Sequence, residues 1–335
     1  MPVPEHVVIP MSMHIGAPAE PVVKKGDTVM VGTVIGKAGG FVSANIYSSV
    51  SGTVQDIAPL RMVNGAMTTA VAIKTDGAQT VAPACVPPVV TDKASLLAAV
   101  QACGLVGVGG AGFPTHVKLA ANTIDTLLIN AAECEPYLTT DCREMLECSD
   151  TIISGITAVM KYCEIPHCSI DIERNKPECI DLLTSLTREM KGVEIKGLPM
   201  RYPQGAEKTL VETCSGREGP QVGPSGKPGL PADVGCVIMN VTSVSTLGKF
   251  LKTGIPLVTK RVTVEGDAIA RHQNIEVPIG TLYRDVIDAC GGVKEGVELG
   301  KIIFGGPMMG GAAPSADFPV LKQNNGLLLF SKKAA

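Results

Sequence analysis

Short apolar runs and turn signals alternate along the N-terminal part of the chain. Thr28–Met30, Thr33–Ile35 and Thr53–Ile57 are rich in β-branched residues, and Lys25-Gly26-Asp27, Ala38-Gly39-Gly40, Ser51-Gly52-Thr53 and Asn64-Gly65 interrupt the pattern. Runs this short at this spacing predict a small β-barrel or sandwich over residues 1 to about 78. A proline-rich stretch from Val81 to Val89 then reads as a linker.

From Thr91 the period changes. Thr91 or Asp92 can cap a helix running through Ala102, and Pro114 stands where another can begin. Thr126-Leu-Leu-Ile-Asn, Ser169-Ile-Asp-Ile, Val193-Glu-Ile and Val234–Met239 read as strands. Helices are expected at Thr151–Tyr162 (capped by Ser149), near Pro177–Met190, through Glu207–Thr213 and at Ser243–Leu251. Strands alternating with helices predict an α/β sheet with helices on its faces. The pattern changes again at Arg261-Val-Thr-Val-Glu, an alternating strand. Thr281–Cys290 follows as a helix, then Lys301–Phe304 as a strand and a turn rich in Gly and Met. That unit has the size of a β-grasp domain, and Gly326–Phe330 adds one strand in the tail.

Composition narrows the function classes. The 335 residues are 45% hydrophobic and 18% charged, a globular profile, and the net charge of −3 comes with 29 scattered Lys and Arg. Nucleic acid needs a concentrated basic face, so it is not an expected partner. Aromatics make up 3% with no Trp, which leaves little for base stacking. No apolar run is long enough to span a bilayer, and MPVPEHVVIP lacks the layout of a signal peptide, so a cytoplasmic location is expected. The eleven cysteines never approach as C-x-x-C, the spacing on which zinc ribbons and ferredoxin clusters depend. They are expected as small, reduced, mostly buried side chains. His14 and His116 lack neighbours at ligand spacing, so no metal site is expected.

Four segments carry candidate chemistry. In Gly104-Leu-Val-Gly-Val-Gly-Gly-Ala-Gly-Phe-Pro-Thr-His-Val-Lys, the glycines allow very close backbone approach to a ligand, and Lys118 lies one turn into the following helix. Gly107-x-Gly109-x-x-Gly112 matches the dinucleotide fingerprint only in pattern, because a predicted helix rather than a strand precedes it. A flexible surface loop is the plainer reading. Asn130-Ala-Ala-Glu133-Cys-Glu135 places polar groups at a strand's carboxyl end, where open α/β sheets bind ligands. Those carboxylates suit ribose hydroxyls or ring N–H groups rather than phosphate, or they simply cap a helix beginning near Asp141. Gly205-Ala-Glu207-Lys208 fits either a backbone approaching a ligand or an exposed helical turn. Lys227, in Pro224-Ser-Gly-Lys-Pro-Gly, leads toward a strand ending at Asn240. Met308-Met309, within Gly305–Gly310, reads as a packing turn.

Together these segments resemble the flavin-binding region shared by the RnfC family and the NADH-oxidising subunit of respiratory complex I. The likeness to RnfC runs over nearly the whole chain, including Met11–Glu20, Phe41–Val54 and Gly305–Gly310. It implies an α/β multidomain fold: a barrel-sandwich hybrid at 1–80 joined by the tail at 316–332, a Rossmann-like FMN and NADH domain at 88–258, and an SLBB β-grasp domain at 259–315. The hairpin at 42–50 has no lysine, so it cannot carry biotin or lipoate.

By that resemblance, the FMN contacts come from Gly107, Gly109 and Gly110 with Lys118 and Asn240 at the phosphate, and Asn130 and Glu133 beside the ring. NADH falls to Phe113, which stacks, and to Glu135, Gly205, Glu207, Lys208 and Lys227. Hydride passes between NAD(H) and FMN with no protein acid–base group. The implied partners are NADH or NAD, an iron–sulfur subunit and membrane subunits of an Rnf-type complex, with ferredoxin reached indirectly. The implied place is peripheral, on the inner face of the cell membrane. The family's 4Fe–4S cluster motifs do not occur in these 335 residues. An electron supply to a soluble reductase such as proline reductase, and a non-catalytic adaptor, are the other readings of the same motifs.

Overall fold

The computed structural model describes residues 1–223, 226 and 229–334. The N-terminal apolar runs fold as two small facing sheets. One orders His6–Pro10, Met67–Thr75, Gly52–Arg61 and Thr28–Val29, all antiparallel. The other joins Glu20–Pro21, Val34–Lys37 and Ile46–Tyr47. Val7, Ile9, Ile35, Ile46, Val54, Val71 and Ile73 fill the space between and are buried. Alternation along the strands puts one face inward, and the glycine-bearing turns close the short connections.

The second unit is a four-stranded parallel sheet in the order Val193–Leu198, His167–Glu173, Thr126–Ala131, Cys236–Asn240. Both faces are covered, which explains strands that read as unbroken apolar runs. Leu127, Ile129 and Ala131 belong to the main core. Leu128, Cys236 and Ile238 pack on the other side against Leu210, Val211 and Cys214. The helix Lys93–Ala102 starts at Asp92, whose carboxylate accepts from the Ser95 N–H. Ser149–Tyr162 lies against Val241–Thr253 with almost no gap. A Cβ on Gly155 would stand 2.1 Å from the Val244 carbonyl oxygen, and one on Gly248 2.0 Å from that of Thr151. The expected Glu207–Thr213 helix is a single turn, Glu207–Leu210, that widens into a π-helical turn, Val211–Ser215.

In the third unit, Gln273–Pro278, Thr259–Glu265, Gly326–Ser331, Leu299–Phe304 and Gly311–Ala312 form a five-stranded sheet with the helix Tyr283–Ala289. This corrects one expectation. The tail strand does not join the N-terminal domain, because it pairs parallel with Thr259–Glu265 and antiparallel with Leu299–Phe304, inside the third sheet. Its aliphatic run, Leu327, Leu328 and Leu329, is buried there. The tail residues just before it do reach back: the Lys322 ammonium donates to the carbonyls of Asn45 (2.8 Å) and Gly104 (2.7 Å). All eleven cysteines are free, six of them buried and five half-buried.

Lys322 is 1% exposed, and burial pushes its ammonium down to about 7. In the unfolded chain a lysine holds its proton to about pH 10.4. Between the two values the unfolded state binds more protons, so this group makes stability rise with pH by up to about 1.4 kcal/mol per pH unit. Lys322→Met leaves two carbonyls unpaired, a cost of about 1–3 kcal/mol at pH 8.5. That gap from the parent narrows as pH falls toward 7. Urea midpoints at three pH values check it, and a gap that does not change with pH removes lysine titration as the cause.

Candidate functional site

The strand order reverses between Thr126–Ala131 and Cys236–Asn240: the chain runs outward from the first through two strands and returns on its other side. That reversal opens a crevice at the carboxyl ends, where α/β sheets take ligands. Asn130 and Asn240 stand there side by side, in register. Four of the expected segments converge on this point from three directions.

The glycine loop arrives from the helix Lys93–Ala102 and folds back on itself. The Gly107 N–H donates to the Phe113 carbonyl at 3.0 Å, Val106 bridges to Pro114, and Gly112 takes φ +75°. Its base is fastened by the Val108 N–H on the Ser243 hydroxyl (3.2 Å) and by the Ile15 N–H on the Gly112 carbonyl (3.1 Å). Gly109 touches Asn240, since a Cβ there would lie 2.8 Å from Nδ2. Among the described residues, Gly110 has nothing within 4 Å of that position. Gly109, Gly110 and Ala111 are exposed, and among the described residues the Gly109 and Ala111 N–H groups have no protein partner. Anchored ends with an open, donor-lined crest make a cradle for an anion. The loop is not a loose surface excursion.

Lys118, on the short helix Thr115–Leu119, is paired with Glu207 at 2.6 Å, so the first and third segments meet. Asn130 donates through Nδ2 to the Gly205 carbonyl (2.9 Å) and accepts the Ala132 N–H, while the Gly205 N–H donates to Cys134 Sγ at 3.3 Å. Gly205 is thereby held against the strand end, and Glu207 and Lys208 are exposed beyond it. Phe113 is half-buried beside the loop. Lys227 lies outside the described residues.

Two expected flavin contacts have other duties. Glu133, at φ +45°, turns its carboxylate onto the N–H groups of Asp141 (2.7 Å) and Cys142 (3.1 Å), capping the helix Thr140–Glu147. This is the capping role that its sequence position also allowed. Burial raises the Glu133 carboxyl well above the usual range, and the adjacent Asp141 adds to the rise. Asn240 is the N-cap of Val241–Thr253: Oδ1 accepts from Thr242 and Ser243, and Nδ2 donates to Asp141 Oδ2 at 2.8 Å. Both side chains brace the crevice rather than point an open group into it.

Sequence reasoning missed the charges underneath. Asp141 is 6% exposed and also accepts the Thr242 hydroxyl at 2.7 Å. Lys260, from the third sheet, is 3% exposed, and its ammonium has no hydrogen-bond partner among the described residues. Burial lowers it to about 8 against the pull of Asp141, Glu144 and Glu133. Lys176, 8% exposed, donates to Glu173 (3.1 Å) and to the Ala132 carbonyl (3.2 Å), tying down the loop that carries Glu133 and Glu135. Nothing in the spacing of Lys260 or Lys176 marks them as buried. His116 is bonded to the Phe41 carbonyl, and among the described residues no group of three or more His, Cys, Asp or Glu could hold a metal ion.

Comparison with known proteins agrees with this geometry. Residues 100–249 match the Nuo51 FMN-binding domain, 1–78 the RnfC barrel sandwich hybrid domain and 261–312 the SLBB domain. Two states of an NAD+-reducing NiFe-hydrogenase share the fold, with TM-scores of 0.57 (H2-reduced) and 0.60 (air-oxidised) at 21% and 22% identity. They cover 72% and 75% of this chain, which spans about half of theirs, 47% and 48%. The fold and crevice thus define a protein built around an FMN-binding domain. The chain is 44% identical, over 99% of its length and 72% of the relative's, to the C component of the proton-translocating ferredoxin:NAD(+) oxidoreductase complex from Clostridium ljungdahlii. It is 41% identical to the Na(+)-translocating counterpart of Acetobacterium woodii (99% and 74%), and 38% to the C component of the ion-translocating oxidoreductase complex from Rhodobacter capsulatus (98% and 63%). It belongs to the RnfC family.

Proposed function

We propose that this chain exchanges hydride between NAD(H) and FMN as a subunit of an ion-translocating ferredoxin:NAD oxidoreductase complex. The observation that carries the reading is the anchored glycine loop with its open N–H groups, set at the strand-order reversal of a domain that matches an FMN-binding family. The residues present fit the cofactor. Bound FMN supplies the hydride-accepting ring and the means to pass electrons on singly. The chain's own part is binding and orientation. The crest at Gly109–Ala111 offers main-chain donors to the phosphate, with Gly107 closing the loop behind them. Lys118 adds the cation and exchanges its Glu207 partner for the phosphate. Asn130 keeps the strand end open through Gly205, while Glu133 and Asn240 act by holding the crevice in shape. Phe113, Glu135, Glu207 and Lys208 line the side left for the dinucleotide, and Lys227 is included by resemblance alone.

No described helix is long and apolar enough to cross a membrane. By likeness to the ion-translocating complexes of its relatives, the chain sits peripherally on the cytoplasmic face, docked on membrane subunits and an iron–sulfur subunit through which ferredoxin is reached. Clusters of the 4Fe–4S type belong to that electron path, and no step is assigned to them on these residues.

The test is an absorption spectrum after FMN reconstitution and desalting, before and after anaerobic NADH. A retained band near ~450 nm that bleaches with NADH establishes the module. A chain that retains no flavin, alone or with partner subunits, is an adaptor. Lys118→Ala should weaken FMN binding by about tenfold, the worth of one charge-assisted contact, as read by flavin fluorescence.

A further inference from the structure

The strand Leu299–Phe304 and the short strand Gly311–Ala312 form an antiparallel pair in the third sheet, and the turn between them reaches the crevice of the second unit. The Met308 N–H donates to Glu135 Oε2 at 3.0 Å and the Met309 N–H to Oε1 at 2.7 Å, so one carboxylate closes the turn with both oxygens. The fit leaves no slack. A Cβ on Gly306 would stand 2.3 Å from Glu135 Oε2 and 2.4 Å from its carboxyl carbon. The turn is stiff in its own right: the Gly310 N–H donates to the Gly306 carbonyl at 2.8 Å, and the Gly305 N–H to the Gly326 carbonyl at 2.8 Å. A packing turn would bury its apolar side chains. Met308 is 54% exposed and Met309 79%, and Tyr202, near the carboxylate, is 38% exposed. Glu135 is close enough to help hold the Tyr202 phenol above its usual range, after the larger effect of desolvation.

We infer that the Gly305–Gly310 turn is a wall of the dinucleotide site, in which the Met308 and Met309 N–H groups set the Glu135 carboxylate for ribose hydroxyls and the two methionine side chains cover the attached heteroaromatic ring. The inference rests on the proposed function. The chemistry is consistent: a carboxylate has about four lone-pair positions, so accepting two N–H groups leaves two directed outward for sugar hydroxyls. Thioethers make favourable contact with aromatic rings and adapt their shape to them. Two main-chain donors hold the carboxylate in one rotamer, so no ordering cost falls on binding. Glu135 is a ligand contact. The Met308 and Met309 side chains are ligand contacts as well, while Gly306 and the two methionine N–H groups act by positioning that carboxylate.

The experiment titrates NADH, anaerobically and with the bound FMN reduced beforehand so that it cannot accept hydride, into FMN-loaded parent, Gly306→Ala, Glu135→Gln, their double variant, and Met308→Ala/Met309→Ala. Dissociation constants come from NADH fluorescence, flavin content from absorbance, and the KM and kcat of NADH oxidation are measured beside them. Gly306→Ala should raise the NADH dissociation constant and KM by about tenfold, with kcat and flavin content near the parent's. In the Glu135→Gln background the same change should add less than about twofold, because the turn acts through that carboxylate. The methionine variant alters only exposed side chains and should raise KM by about threefold to tenfold. Should Gly306→Ala not fold, the methionine variant and its combination with Glu135→Gln decide. Parent-like NADH binding in both turn variants overturns the inference. A parent that takes up flavin but binds no NADH overturns the proposed function instead.

Discussion

Gly110→Val should remove FMN retention, by about a hundredfold or more in affinity, and leave the fold as it was. In the chain alone a side chain at Gly110 meets no heavy atom of the described residues within 4 Å. Its φ lies outside the left-handed region, so a β-carbon brings no backbone strain there. Exposed substitutions of that kind usually move stability by no more than about 0.5 kcal/mol. The space becomes contested only when a phosphate occupies the crest. A branched side chain then displaces an anion that several donors hold together, and about 3 kcal/mol corresponds to the hundredfold loss. Urea unfolding and FMN titration of the same preparation separate the two effects. Parent-like affinity would show that the phosphate is not bound at the crest. Gly109→Val is the contrasting case: its side chain meets Asn240 whether or not a ligand is present, so both stability and affinity fall.

Asp141→Ala should cost about 3–5 kcal/mol of folding stability, the second large effect. The carboxylate receives the Asn240 amide and the Thr242 hydroxyl, and it is the largest attraction on the buried Lys260 ammonium. Removing it frees two donors and leaves a buried cation with less to balance it, which is the costly way to break a buried charge pair. Lys260→Met in the Asp141→Ala background should recover a large part of the loss, since an apolar side chain of similar length replaces the stranded charge. Denaturant midpoints of the parent, the two single variants and the double complete the cycle. Simple additivity would mean that the two charges do not act on each other.

The architecture was largely readable from the sequence because its signals are local. Both strands at the crevice lie close to their expected ends, and the helix at Asp92 begins where a side-chain cap was available. The tail strand was recognisable as a strand but not as a partner of Thr259–Glu265, because strand pairing depends on the whole sheet and not on the run itself. At the site, the glycine loop and Asn130 stood out through residue type and position. The roles of Glu133 and Asn240 did not, since a carboxylate or amide at a strand end looks the same whether it faces a ligand or caps the next helix. Lys260, Lys176 and the bond between Glu135 and the methionine turn depend on contacts across more than a hundred residues in two of the three cases, and no pattern in a linear chain encodes them.

The position of the tail strand bears on how the molecule is made. Gly326–Ser331 lies between Thr259–Glu265 and Leu299–Phe304, so the third sheet has a gap in its middle until those six residues have emerged from the ribosome. The parallel sheet and glycine loop are synthesised earlier and can fold as a unit first. The turn that grips Glu135 cannot settle then, because Gly305 is anchored on Gly326. On the inferred arrangement, a nascent chain therefore meets cofactor with half of its crevice shaped, and the nucleotide side follows. Emergence of the tail strand thus becomes the moment at which the third sheet can close and the turn on Glu135 can settle.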